Sequence, residues 1–260
     1  MNPYIGITDF TKFEEVANML RVFNAHLPAG SNRKLHVGVM ISHKTLNDIP
    51  SRYKWENVFP PKEEIANIFA SQEAYNCVHF ADYELHKEPF ATWEDLIKVL
   101  SLAGENVHAL QLDMTWPAPW QISQAVRNSG KNIEVILQVG KKAIEQVGDD
   151  PQTIVEMLDS YQGVIHRVLL DKSMGRGVSM NAQEFFPLVE AIKESYPTLG
   201  IVVAGGLGPT SIDLVRPITE MFPDVSIDAQ SKLRPSGSAL DPVDWDMAAE
   251  YLTKALKLFP

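Results

Sequence analysis

Gly200-Ile201-Val202-Val203-Ala204-Gly205-Gly206-Leu207-Gly208-Pro209-Thr210 holds the unit on which the fold turns. A short β-branched run ends in two glycines, and a proline and threonine suited to opening a helix come next. Glycines directly after a strand let the backbone approach an anion and offer it N–H groups. A helix beginning at Pro209 or Thr210 would add its positive end to the same place.

The alternation recurs outward from that unit in both directions. Strands are expected at Tyr4–Thr8, Leu35–Ser42, Asn76–Tyr83, Ala109–Thr115, Ile133–Val139, Arg167–Lys172, Gly200–Ala204 and Asp224–Ala229. Several are nearly continuous apolar runs, such as Val135-Ile136-Leu137 and Val168-Leu169-Leu170, as expected of parallel strands buried on both faces. Between them lie segments of helical period: Phe13–Phe23, Ile154–Leu158, Phe185–Ile192 and Val243–Leu258. Thr92 and Pro61 stand where helix starts are expected.

Eight β-then-α units predict an α/β fold, a (β/α)8 TIM barrel, as a single domain over residues 1–260. The rival, an open doubly wound sheet, would open on a glycine-rich turn; Gly6-Ile7-Thr8-Asp9 is not one. The longest irregular stretch, His43–Pro61, follows the second strand. It belongs at the ligand end, as a lid or as a decoration.

Composition narrows the function. A net charge of −10 excludes a broad nucleic-acid footprint but not a small phosphorylated ligand held by backbone dipoles and a few cations. One cysteine, Cys77, permits no intrachain disulfide. With no signal-peptide pattern at Met1-Asn2-Pro3-Tyr4 and no bilayer-spanning apolar run, a cytoplasmic protein without a membrane partner is expected. The pattern leaves oligomeric state open and implies no cofactor.

In a barrel, polar residues at the carboxyl ends of strands face the ligand. Those ends supply Asp82, Gln111, Asp113, Asp171 and Asp228, with His43 and Arg52 in the loop after strand two. Some of these aspartates serve equally well as helix caps. Asp171 stands out because it closes Arg167-Val168-Leu169-Leu170 and precedes a glycine-bearing loop with Arg176. A carboxyl there is partly desolvated and suited to proton exchange, and Arg176 could meet an anion. Lys172 suggests an imine, yet alternation turns it away from the barrel if Asp171 points in. After strand eight, Ser231, Lys232 and Arg234 add a hydroxyl and two cations beside the Gly205-Gly206 turn.

A metal reading would gather His79, Asp82 and His86 with His43 or Asp113. Taken as one strand, His79 and Asp82 point to opposite faces, and no metal site is assigned. Trp116 and Trp120 would pack under a loop or stack on a ligand ring.

These motifs resemble those of the phosphoribosylanthranilate isomerase family, barrels that carry out an Amadori rearrangement on a phosphorylated aminosugar. Gly6-Ile7-Thr8, Val37-Gly38-Val39, Ala109-Leu110-Gln111-Leu112-Asp113, Leu169-Leu170-Asp171, Gly205-Gly206-Leu207-Gly208-Pro209 and Ile227-Asp228 carry the resemblance across most of the chain. Ser51-Arg52-Tyr53 is similar to the family's substrate-binding arginine segment. The resemblance implies a phosphate grip at Gly205 and Gly206, with Asp171 as general acid. Departures are specific: Ile5 stands where the family has its basic cysteine, Asp113 replaces a histidine, and Gln230-Ser231-Lys232 replaces Ser-Ser-Gly.

The sequence therefore predicts acid/base isomerisation of a small phosphorylated sugar or related metabolite. Asp171 and Asp113 would exchange protons; Gln111, Arg52 and Arg176 would bind substrate; Gly205, Gly206, Ser231 and Lys232 would hold the phosphate. A metal-assisted epimerase or lyase, and a non-catalytic phosphate-binding barrel, are the competing readings.

Overall fold

Eight apolar runs pair edge to edge in chain order and the last returns to the first, closing a parallel barrel β1 to β8. The structure is a computed structural model and describes residues 1–49, 57–82, 91–148, 150–171 and 181–259. The strands are β1 (Tyr4–Thr8), β2 (Lys34–Ser42), β3 (Tyr75–Ala81), β4 (Ala109–Asp113), β5 (Glu134–Gly140), β6 (Arg167–Asp171), β7 (Gly200–Ala204) and β8 (Ser226–Ala229). The described helices are α1 (Phe13–His26), α2 (His43–Leu46), α3 (Ile65–Ile68), α4 (Trp93–Leu102), α5 (Pro119–Ser129), α6 (Lys141–Val147), α7 (Pro151–Leu158), α8 (Ala182–Ser195), α9 (Arg216–Met221) and α10 (Trp245–Leu256). Among described residues no helix is long and apolar enough to cross a membrane.

Strand limits differ from expectation where a local contact outcompetes the ladder. β4 stops at Asp113, short of Thr115, and the chain bends through Trp116, whose φ of 49° is left-handed. β8 begins at Ser226 because Asp224 turns to the surface and pairs with Lys193. β3 ends at Ala81, so Asp82 lies past the strand and the alternation argument does not apply to it. Thr92 caps α4 by accepting the Asp95 N–H, as its position predicted. Pro61 opens a 3-10 turn, Lys62–Glu64, ahead of α3. The expected long loop His43–Pro61 starts as helix, since Ser42 accepts the Thr45 N–H and caps α2.

Alternation divides each strand between two cores. Ile5, Ile7, Val37, Val39, Val78, Leu110, Leu112, Val135, Leu137, Val168, Leu170, Ile201 and Val203 join the large cluster beneath the helices. The opposite positions fill the barrel. Going round it, the paired registers accumulate the stagger usual for this fold, a shear of about 8, which makes alternate strands contribute to each interior layer of four. The layer nearest the amino ends is Tyr4, Tyr75, Glu134 and Gly200; above it come His36, Ala109, Arg167 and Ser226. Arg167 donates to Glu134 Oε2 at 2.8 Å and to the Asn2 carbonyl at 2.8 Å, closing that end with a paired guanidinium and carboxylate. Then come Gly6, Cys77, Ile136 and Val202; Gly38, Gln111, Leu169 and Asp228; Thr8, His79, Gln138 and Ala204. Met40, Asp113 and Asp171 form the layer at the mouth, and Gln230 follows the end of β8 beside it.

Candidate functional site

The two upper layers are polar where barrels of this fold are usually filled by branched aliphatics. Asp113 and Asp171 are neighbours in the mouth layer, with β5 between their strands, and each is 8% exposed. Below them His79 Nε2 lies 3.4 Å from Asp113 Oδ2. The same ring nitrogen lies 3.5 Å from Gln111 Nε2, so His79 Nε2 sits between a carboxylate oxygen and an amide donor. Gln111 donates to Gln138 Oε1 at 2.8 Å, fixing both amides across β4 and β5. Asp113 and Asp171 thus share the mouth layer, and Gln111 lies two layers below them in the layer of Asp228.

Asp228 sits in that deeper layer, with Thr8 Oγ1 donating to its Oδ2 at 2.9 Å. Burial pushes its carboxyl up to about 7. His36 Nδ1 lies 3.7 Å from the other oxygen, and burial drives that imidazole down to about 3. Neither Thr8 nor His36 was singled out from sequence. The signal was available, because both are polar residues at inward positions of strands otherwise rich in branched aliphatics. The same signal marks Gln138.

A second network pins the mouth between its first and last strands. Asp9, at φ 86° and fully buried, accepts from Arg234 Nη2 at 2.6 Å and from Gln230 Nε2 at 3.0 Å. Arg234 also donates to the Gln230 and Asp241 carbonyls. This corrects the reading of Arg234 as a cation for a ligand: its donors are spent on the protein, and its side chain is 0% exposed.

The Gly205-Gly206 turn needs glycine, with φ of 105° and 67°. A Cβ on Gly208 would lie 2.6 Å from the Lys232 carbonyl, so the loops after β7 and β8 pack directly together. Ser231 is buried at the start of a 3-10 turn, Ser231–Leu233, and Lys232 is half-buried beside it. The expected helix at Pro209 or Thr210 is absent. Ser211 instead donates to the Gly206 carbonyl at 2.7 Å. A 3-10 turn, Ile212–Val215, and then α9 follow, so the first regular helix end lies well past the glycines.

Ile5 faces the helices and belongs to the outer core, so its side chain is not part of the mouth and the missing cysteine says nothing about the groups there. Asp82 accepts the Ala91 N–H at 3.0 Å. His43 lies on α2 against Asn47. Trp116 donates to the Ala143 carbonyl at 2.9 Å and packs under its loop, while Trp120 is 62% exposed. Among described residues no three His, Cys, Asp or Glu side chains are arranged to hold a metal ion. Arg52, Arg176, Lys172 and His86 lie outside the described residues.

No family model matches the chain, and no curated protein matches it. Solved structures do. One is phosphonopyruvate hydrolase, at 12% identity and a TM-score of 0.50, covering 87% of this chain and 74% of that one. Another is a mandelate racemase/muconate lactonizing enzyme, described as putative, from Sorangium cellulosum, at 12% identity and a TM-score of 0.48. This chain spans about half of that protein's length, 53%. At such identities the likeness concerns the fold: a closed parallel barrel of the TIM type.

Proposed function

We propose that the chain is an enzyme resembling phosphoribosylanthranilate isomerase that isomerises a small phosphorylated sugar, or a related metabolite, by acid/base chemistry. The observation that carries this reading is the pair Asp113 and Asp171, neighbours in the mouth layer and partly withdrawn from water. Isomerisation of an aminosugar requires one group to give a proton to the ring oxygen and another to remove one from carbon. Asp171 is assigned the first role and Asp113 the second, with His79 holding the Asp113 carboxylate in place. Gln111 orients the substrate. The phosphate is assigned to the loops after β7 and β8, where Gly205 and Gly206 present backbone and Ser231 and Lys232 add a hydroxyl and a charge.

The test is turnover of a panel of sugar phosphates, followed by thermal shift. Asp171→Asn should lower kcat by about 10²–10⁴-fold with little change in binding, the usual contribution of a positioned acid or base. Undiminished turnover of a cognate substrate in that variant would sink the acid assignment. Thermal stabilisation by the panel without turnover would instead favour a phosphate-binding barrel.

A further inference from the structure

We propose that His36 and Asp228 share one proton beneath the mouth, across the backbone of Gly6, so that a neutral pair rather than a carboxylate underlies the site. His36 is then a positioning residue that acts through Asp228. The first ground is a match of unmet groups. Asp228 Oδ1 and both ring nitrogens of His36 are buried without a hydrogen-bond partner, and Oδ1 and Nδ1 face one another at 3.7 Å. With the imidazole hydrogen on Nε2, Oδ1 of a carboxylate and Nδ1 are two acceptors that gain nothing from each other, whereas a proton on Asp228 supplies the donor that would close the gap to hydrogen-bond length. Unpaired buried polar groups are rare enough to require a reason.

The second ground is the space reserved for the pair. A Cβ on Gly6 would stand 2.1 Å from Asp228 Oδ1 and 3.0 Å from His36 Nδ1. One on Gly38 would stand 2.7 Å from Thr8 Oγ1 and 3.2 Å from His36 Cε1. Two interior positions are side-chain-free, and the pair with its Thr8 partner occupies what they release. Tyr4 stacks on the imidazole at 4.5 Å between ring centres and holds its plane.

The third ground is the surrounding charge. From β1 the pair faces Tyr4, and from the turn after it Asp9; from β3, Tyr75, Cys77 and His79; from β6, Arg167; and from α10, Tyr251. Burial, then His79 and Arg167, oppose an imidazolium at His36. Burial first, and Asp9 among the charges, oppose a carboxylate at Asp228, against the Thr8 bond and His79. The proton therefore resides on Asp228, and His36 accepts from it. No bond other than O–H changes when the pair gives the proton to solvent and becomes an anion.

The pairing stands without any ligand. Its consequence for ligands rests on the phosphate reading: a neutral floor spares an anion from a further negative charge below Asp113 and Asp171. The test uses the whole chain with ¹⁵N-labelled histidine and ¹³C-labelled aspartate. One imidazole, identified by its loss in His36→Gln, should stay neutral to about pH 4, and one carboxyl, lost in Asp228→Asn, should titrate near neutrality. The stability sign follows. The folded carboxyl lies above its unfolded value of 3.8, so its contribution is complete below about pH 4 and lost as pH rises through about 7. Asp228→Asn should remove that slope, a readout that survives if His36→Gln fails to fold. An imidazole at His36 titrating near its ordinary value of about 6.5, or no Asp228-dependent carboxyl between about pH 6 and 8, overturns the pairing. Sulfate, whose charge is constant over that range, is the ligand probe. Its affinity should fall several-fold from pH 6 to pH 8 in the native chain and stay level in Asp228→Asn. Absence of sulfate binding counts against the phosphate reading and leaves the resonances to decide the pairing.

Discussion

Replacing Arg234 by methionine removes one guanidinium and strands several groups at once. Its side chain is wholly buried, and three of its nitrogens donate: Nη2 to Asp9, Nη1 to the Gln230 carbonyl and Nε to the Asp241 carbonyl. Asp9 would keep only the Gln230 amide bond, in a place where burial already raises its carboxyl against the pull of Arg234. Breaking a buried pair from one side costs about 3–5 kcal/mol because the remaining charge has neither water nor partner. Methionine fills much of the same volume, so the packing term is small beside this.

For a chain of this size each kcal/mol shifts Tm by roughly 2–4 °C, which puts the variant about 6–20 °C below the native chain. Equilibrium urea unfolding and thermal melting at neutral pH measure the loss directly. Adding Asp9→Asn to Arg234→Met should recover part of it, since an amide tolerates the site better than an orphaned carboxylate, and the double-mutant cycle isolates the coupling. The reasoning fails if Arg234→Met costs less than about 1 kcal/mol, the range of an exposed pair. It fails equally if the second substitution adds to the damage.

Two smaller perturbations probe the interior and the loop. Gly6→Ala drives a methyl to within 2.1 Å of Asp228 Oδ1, and denaturant unfolding should register about 1–3 kcal/mol of overpacking strain; an unchanged midpoint would mean that the pair is loosely held. Gly206→Ala places a side chain at φ 67° and should cost about 1–2 kcal/mol in urea unfolding at unchanged fold, with weaker thermal protection by sulfate. Sulfate protection equal to that of the native chain would remove the turn from the anion site.

The barrel was legible because its cause is repeated. Eight buried parallel strands each leave a short, nearly continuous apolar run, as in Val168-Leu169-Leu170, and repetition outweighs any error at one end. Where the ends were misjudged, the deciding contact lay outside the run. Asp224 left β8 for Lys193, a residue on another element, and Trp116 bent the chain into a left-handed conformation. The helix expected at Pro209 failed for a similar reason. Ser211 bonds back to the Gly206 carbonyl and makes a local turn, an alternative that short polar side chains offer the backbone.

The site was legible one strand at a time and not across strands. Asp113 and Asp171 could be placed at strand ends from alternation, but their membership of a single layer follows only from the stagger of all eight registers. Ile5 shows the cost of aligning a motif without its parity. The matched Gly6-Ile7-Thr8 runs through the right strand, yet Tyr4, Gly6 and Thr8 face the interior and Ile5 faces the helices. Whether a residue at position 5 can take a proton is therefore immaterial to chemistry at the mouth. The interior glycines explain why polar strand residues were overlooked. Gly6 and Gly38 entered the sequence reading only as parts of family-like motifs, whereas each is the space that a neighbour's side chain occupies. An inward glycine facing an inward polar residue on the adjoining strand, as Gly6 faces His36 and Asp228, is thus a joint signal visible only once register is known. It locates His36, two layers below Asp228, which reading the carboxyl ends of the strands alone does not reach.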